Sequence, residues 1–435
     1  MNYPVIRRNL ILCTATALLG CHAVAAQRGQ IFDRNGIPLS VAIPGGTAGS
    51  HTPLSPSLAA LVGSVDSAGT GIGGLEKTYD MTLRAGNHLR LTLDANLQKI
   101  VEDELHSLTR TYQPKGAYAI MAEPRTGAIL AMAYHAAPDA AKAKTSTAAG
   151  SSNPILSAGF EPGSVIKALA VAGALDAGAV TLNTTFDCEN GEWSYAGRPL
   201  RDSSHNYGVL PVRNIIQTSS NIGTAKIGIL MGKERLDQTF RAFGIGQPTG
   251  IDLDNESSGI YRKLKDWDGL SVSRFAIGQG LIVTPLQMVQ AYCALANNGV
   301  MPQLHLAARL ENSKTGTVTP LAFTPKGRVI KPETAARITE ALKLVTQAGG
   351  TAPKAAIAGY AVAGMTSTAQ KVEHGADVDQ CVASFIGYVP ADAPAFVLLV
   401  IVDAPSQGDD SGGLVAAPAF SRIASQALPA LKPAR

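Results

Sequence analysis

Scarce cysteine, scarce aromatics and modest charge set the first limits on this chain. Five cysteines are spread over 435 residues. Cys13 and Cys21 fall in an N-terminal apolar segment, which leaves Cys188, Cys293 and Cys381 at wide spacing. An odd, scattered remainder is neither a disulfide framework nor a metal knuckle, so no metal and no cofactor is expected. Aromatic residues make up 5% and charged residues 16%, with 37 Lys and Arg against 33 Asp and Glu for a formal net charge of +4. No long basic run interleaves with aromatics, which argues against a nucleic-acid partner. No repeat recurs at a fixed period, which excludes solenoids and propellers. Long hydrophobic runs are also lacking, apart from Leu10 to about Ala26, which follows Arg7 and Arg8 and is broken only by His22. That run is too short for a comfortable membrane span and reads as an export signal or a minimal anchor. Val24-Ala25-Ala26 offers small residues for cleavage, and Leu18-Leu19-Gly20-Cys21 resembles a lipoprotein box. Either way, the rest of the chain is expected outside the cytoplasmic membrane.

What the chain has in quantity is apolar side chain. At 46% hydrophobic it can build a large catalytic domain and a smaller one. One stretch organises the rest: Phe160-Glu161-Pro162-Gly163-Ser164-Val165-Ile166-Lys167, followed by the apolar run Ala168 to Leu175. Pro162 and Gly163 break the chain, and the run after them reads as a helix buried on most of its circumference. Ser164 then sits in the first turn, and Lys167, three residues on, falls on the same face one turn above it. A hydroxyl beside a lysine whose charge is disfavoured by apolar surroundings is a nucleophile with its own base. Ser-x-x-Lys occurs once in the chain, at the head of an apolar helix, where neither residue has a structural reason to be.

Around this stretch the pattern is strands at both ends with helices between. Leu89 to Leu93 alternates as a strand, and Asp94 is placed to cap a helix whose face carries Leu97, Ile100, Val101, Leu105 and Leu108. Ala117 to Ala122 and Ala128 to Tyr134 read as a hairpin. Helical patterns run through Pro211 to Phe243, Pro285 to Asn297 and Pro332 to Gln347. Tyr360 to Ala369, Ala383 to Val389 and Ala395 to Val402 read as strands, and Ala417 to Ala427 closes the chain as a helix. The fold class is therefore α+β, an antiparallel sheet flanked by helices. The Gly, Ser, Ala and Pro-rich stretch from Gly45 to Gly74 looks like a linker or a pared-down subdomain, and Ala136 to Ser152 looks like a loop. The expected division is 1–26 leader, 27–86 small front domain and 87–430 main domain.

Two further stretches bear on chemistry. Ser219-Ser220-Asn221 lies between two apolar helical segments, where a bend could aim Ser219 and Asn221 into a cleft. Ser151-Ser152-Asn153 and Ser204-His205-Asn206 share the tripeptide pattern but sit in polar, turn-like sequence. The second is Gly359-Tyr360-Ala361-Val362-Ala363-Gly364-Met365-Thr366-Ser367-Thr368, an apolar-flanked strand. In this order the three stretches resemble the motif set of the penicillin-binding proteins, and in particular the class B D,D-transpeptidases. Arg28-Gly29-x-Ile31-x-Asp33-Arg34-x-Gly36 and Gly74-Leu75-Glu76-Lys77-x-Tyr79 look like the start and end of that family's pedestal domain. Gly278-Gln279-Gly280, Thr284-Pro285-Leu286-Gln287 and Ala296-Asn297-Asn298-Gly299 also match. The likeness runs from about residue 28 to 425.

The resemblance implies a penicillin-binding-protein and serine β-lactamase-like fold, with a shortened pedestal lacking most of its partner-binding surface. It implies a periplasmic, membrane-associated place in wall synthesis, with peptidoglycan stem peptides as substrates, β-lactams as inhibitors and other wall-synthesis or division proteins as partners. Ser164 is the implied nucleophile, Lys167 its base and Ser219 the proton relay. Asn221 and the strand residues Met365, Thr366, Ser367 and Thr368 are the implied substrate-binding set, with the N–H groups of Ser164 and Thr368 forming the oxyanion hole. The sequence departs from the family pattern in its third motif, where Lys-Thr-Gly is expected. Met365 replaces the lysine, which lets Lys167 hold its proton more tightly and removes a charge from the place that binds the substrate carboxylate. Ser367 for glycine is expected to matter less. A literal Lys314-Thr315-Gly316-Thr317 exists, but its neighbours describe a polar turn rather than a strand beside the nucleophile. The implied activity is thus a weakened transpeptidase or carboxypeptidase, with a silent scaffold as the alternative. A β-lactam sensor or β-lactamase is disfavoured because no acidic residue is evident to activate a deacylating water.

Overall fold

The computed structural model describes residues 28–42, 51–136, 153–203, 206–373 and 376–431. The leader at 1–26 and residues 137–152 of the expected loop lie outside them. No helix among the described residues is long and apolar enough to cross a membrane.

Five strands form the main sheet in the order Ala363–Glu373, Ala376–Val389, Phe396–Asp403, Gly116–Ala122, Ile129–Ala136, with every neighbouring pair antiparallel. Phe396–Asp403 is apolar along nearly its whole length and buried at seven of its eight residues. A strand without polar alternation needs cover on both faces. Two helix pairs supply the cover: Ala95–Tyr112 with Ala416–Ala430, and Pro285–Ala296 with Pro332–Val345, each pair packing together and onto the sheet. The α+β expectation therefore holds. Asp94 caps the Ala95–Tyr112 helix as expected, accepting from the amides of Asn96 and Leu97.

The helix after the Ser164 turn, Lys167–Asp176, is buried at every residue from Lys167 to Leu175. A helix apolar on all sides has no solvent face to lose, which is why it sits in the centre. The turn ahead of it, Gly163–Ile166, is a 3-10 helix that packs on the edge strand Ala363–Glu373.

A smaller sheet runs in the order Ile31–Phe32, Asn87–Leu91, Ala307–Asn312, Val318–Pro320. It draws strands from both sides of the boundary placed between 86 and 87. Its N-terminal part is held by Arg28, whose guanidinium bonds Glu76 at 2.5 Å and Asp80 at 2.7 Å, so the two stretches read as the start and end of a pedestal meet in one ion-pair cluster. The stretch from Gly45 to Gly74, read as a linker or a pared-down subdomain, contains the helix Pro56–Val62, capped by Ser55 and burying Leu58, Leu61 and Val62. A side-chain cap, a proline in the first turn and three apolar contacts suffice to order it.

Candidate active site

Ser164 is half-buried and opens into a cleft of about 960 Å³ whose walls include Ser219, Asn221, Thr366, Ser367 and Thr368. Its turn is fixed from three directions. Gly163 has φ +52°, and a Cβ there would collide with Ser367 Oγ and come within 3.1 Å of Ala369 Cβ. The Gly163 amide donates to the Gly278 carbonyl at 3.1 Å. Gly278 has φ +85°, and any Cβ on it would run into the Gly163 backbone. Tyr292 Oη, from the Pro285–Ala296 helix, donates to the Val165 carbonyl at 2.7 Å. The Glu161 carboxylate accepts from the Gly280 amide at 2.9 Å. The Gly278-Gln279-Gly280 stretch is thus the second wall of the nucleophile turn.

Lys167 is fully buried, and its ammonium donates to the Ser219 carbonyl at 2.6 Å, Ser219 Oγ at 3.1 Å and Asn221 Oδ1 at 2.6 Å. Burial pulls its pKa from 10.5 down to about 7, against an upward pull from the Asp202 carboxylate. The sequence placed this amine beside the Ser164 hydroxyl. The structure keeps both residues in one turn but aims the amine at the Ser219 stretch, and no hydrogen bond joins Ser164 Oγ to Lys167. Of the amine's three partners, two are carbonyl oxygens that can only accept. Only the Ser219 hydroxyl can turn round and donate once Lys167 is neutral.

The bend between helices Val212–Gln217 and Asn221–Met231 is made by Ser219 itself, at φ +56°. A left-handed serine costs on the order of 1 kcal/mol and persists where surrounding contacts over-determine it. Asp202 supplies those contacts, accepting from the Asn221 amide at 2.5 Å, the Ile222 amide at 3.0 Å and Ser220 Oγ at 2.8 Å. A carboxylate on helix N-terminal amides also opposes the positive end of the helix dipole. Sequence reasoning missed Asp202: it lies 17 positions before Ser219, with no local signal linking the two.

On the edge strand, Met365 is fully buried and does not line the cleft. Thr366 Oγ1 bonds Thr351 Oγ1 at 2.7 Å, and Thr368 Oγ1 accepts from the Gly412 amide at 3.0 Å. The Ser164 amide donates to Ser367 Oγ at 3.1 Å. Ser367, expected to be the lesser substitution, is therefore the strand residue that touches the nucleophile. Among the described residues, Arg274 and Lys354 are the cations lining the cleft. Lys314 lies on an exposed turn joining two strands of the smaller sheet, its amide bonded to Asn312 Oδ1 at 3.0 Å. Cys188, Cys293 and Cys381 are buried free thiols.

A serine and a buried lysine one turn apart, faced by a serine-asparagine pair and an edge strand, agree with what family comparison finds. Residues 117–425 match the family described as the penicillin binding protein transpeptidase domain. The chain belongs to that family. Among similar proteins, a probable peptidoglycan D,D-transpeptidase FtsI of Caulobacter vibrioides is 31% identical over 95% of this chain and 72% of its own length. The stage V sporulation protein D of Bacillus subtilis is 35% identical over 80% of this chain. The chain spans 54% of that relative and 59% of the PenA proteins of Neisseria gonorrhoeae and Neisseria meningitidis. Among solved structures, penicillin-binding protein 3 of Mycobacterium tuberculosis, in complex with aztreonam, superposes with a TM-score of 0.83 at 29% identity, covering 93% of this chain and 96% of that one. With these relatives, the chain is a class B penicillin-binding protein, and its main sheet and helices are that family's transpeptidase fold.

Proposed function

We propose that this penicillin-binding protein is a serine D,D-transpeptidase of peptidoglycan stem peptides, acting on the outer side of the cytoplasmic membrane and acylated by β-lactams. The observation that carries the reading is Lys167: a fully buried amine, drawn down to about 7, tied to both Ser219 and Asn221 behind the Ser164 cleft. Nothing in packing alone favours a lysine there, since burying an amine costs several kcal/mol unless it is satisfied and neutralisable. Ser164 Oγ attacks the carbonyl between the two terminal D-alanines and its proton passes to neutral Lys167, a contact that forms only as the substrate seats. The C–N bond breaks, and the departing amine takes a proton from Ser219 Oγ, which is resupplied by Lys167. An acceptor amine then attacks the ester, its proton returns through Lys167, and Ser164 regains its hydrogen. Asn221 holds the substrate backbone amide, with Thr366 and Thr368 beside it.

Met365 weakens this enzyme. Met365 is buried off the cleft, where only a longer, charged side chain could serve Lys167 or the substrate carboxylate, and losing a charge-assisted hydrogen bond to that carboxylate costs about 1.5 to 3 kcal/mol, or roughly ten to a hundred-fold. Burial alone already brings Lys167 near neutrality, so the base survives the loss better than the carboxylate site does. A second reading, a silent scaffold of the wall-synthesis machinery, is favoured by Met365 and by the hydroxyl of Ser367 on the Ser164 amide. Fluorescent penicillin separates the two. A slow adduct on purified protein that vanishes in Ser164→Ala supports the enzyme, and no adduct at any pH supports the scaffold.

A further inference from the structure

A carbonyl attacked by Ser164 develops negative charge that the Ser164 amide must meet, because the nucleophile's own N–H is the donor nearest the reacting carbon. In this chain that N–H is already engaged, by Ser367 Oγ at 3.1 Å. The contact is tightly framed. Ser367 is 2% exposed, and its Oγ lies within colliding distance of where a Cβ on Gly163 would fall. Behind the strand, Gly412 lies so close to the Ser367 carbonyl that it has no room for a Cβ, and the Gly412 amide donates to Thr368 Oγ1 at 3.0 Å. Strand, turn and the Gly412 backbone are therefore closely packed, and rotation of the Ser367 side chain is the smallest movement that frees the Ser164 amide. A second observation shows where it would go. Ser384 stands directly opposite Ser367 in the antiparallel pairing, on the same face of the sheet. Its hydroxyl is buried and has no hydrogen-bond partner among the described residues, an orphan of the kind that calls for an explanation.

We propose that Ser367 is an internal occupant of the oxyanion position: its hydroxyl holds the Ser164 amide in the empty cleft and in the initial complex, and turns to Ser384 Oγ only as negative charge develops on the attacked carbonyl oxygen. Residue 367, beside the missing lysine, then sets the acylation rate. This rests on the acyl-serine reading above. Losing one oxyanion donor lowers turnover by about 10²–10³, and a displaceable occupant forfeits part of that.

The test is stopped-flow acylation by a fluorescent penicillin, separating the first-order acylation constant from the non-covalent dissociation constant. Ser367→Ala removes the hydroxyl and keeps the strand's Cβ. It is expected to raise the acylation constant at least about tenfold, up to the 10²–10³ ceiling, with the dissociation constant within about twofold, as befits a group that matters only in the transition state. Ser367→Gly is expected to do the same. Ser384→Ala removes the landing partner and is expected to slow acylation when Ser367 is present and to change nothing in the Ser367→Ala background. An unchanged or lower acylation constant in Ser367→Ala overturns the proposal while leaving the acyl-serine reading intact, provided the adduct still depends on Ser164. Absence of any Ser164-dependent adduct in wild type, Ser367→Ala and Met365→Lys/Ser367→Ala removes both.

Discussion

Raising the pH through neutrality should switch on acylation in this protein, and the position of the switch follows from where Lys167 sits. The amine is fully buried, which disfavours its charged form, and the Asp202 carboxylate restores part of the preference for charge, leaving a pKa of about 7. Only neutral Lys167 can take the Ser164 proton, so roughly a tenth of the molecules are competent at pH 6, half at pH 7 and nine-tenths at pH 8. The second-order rate constant for a fluorescent penicillin should therefore climb about tenfold per pH unit below 7 and level off above it. The same shift acts on stability. The unfolded chain holds this proton up to its ordinary pKa of 10.5, the folded chain only up to about 7, so between these values the unfolded state binds more protons. Folding stability thus rises with pH across that window and falls as pH drops through 7. At about 1.4 kcal/mol per pH unit, the full swing is on the order of 5 kcal/mol. Urea unfolding of wild type against Lys167→Met isolates that contribution. An acylation profile flat from pH 6 to 9, or a wild-type stability difference that does not grow from pH 7 to pH 10, would refute the assignment of Lys167 as a buried, neutralisable base.

Three other outcomes follow from named contacts. Met365→Lys should accelerate labelling by roughly ten to a hundred-fold, measured with the same penicillin; an unchanged rate means that residue 365 does not stand where the family's lysine does. Asp202→Asn removes the carboxylate that supports the Lys167 charge, so the inflection of the acylation profile should move below pH 7. Weakening the cap on helix Asn221–Met231 should also cost about 0.5–2 kcal/mol of stability, and an inflection moving upward would contradict the charge argument. Gly278→Ala combines a left-handed backbone position with a collision against Gly163. It should lower stability by roughly 1–3 kcal/mol and abolish labelling even where the protein remains folded by circular dichroism.

Much of the frame was legible because its signals are local. The Ala117 to Tyr134 hairpin, the Asp94 cap and the late strands each announce themselves in local pattern, and they lie within a few positions of where the structure has them, except that the strand read from Ala383 begins seven residues earlier, at Ala376. The three motif stretches also converge on one cleft, since an apolar helix head, a bend between apolar helices and an apolar-flanked strand must be buried together. What the sequence hid depends on contacts between distant parts of the chain. Asp202 gains meaning only when the 221–231 helix starts above it. The amine of Lys167 chooses the Ser219 bend over the Ser164 hydroxyl because the bend offers two carbonyl oxygens at 2.6 Å. Ser367 looked minor as one added Cβ on a strand, and its reach to the Ser164 amide appears only when turn and strand are set side by side by Gly163 and Gly412. Gly278 stands out in the sequence only as part of a matching stretch, and its role against the Gly163 backbone appears only in the fold.

The most direct measurement is the site of covalent attachment. After incubation with a β-lactam at pH 8, peptide mapping by mass spectrometry should place the whole adduct mass on Ser164, with Ser219 and Ser367 unmodified and the adduct lost in Ser164→Ala. Attachment at Ser219 or Ser367, or a protein that stays unmodified at every pH and in the Met365→Lys variant, would contradict the account that Ser164 and Lys167 form the acylating pair.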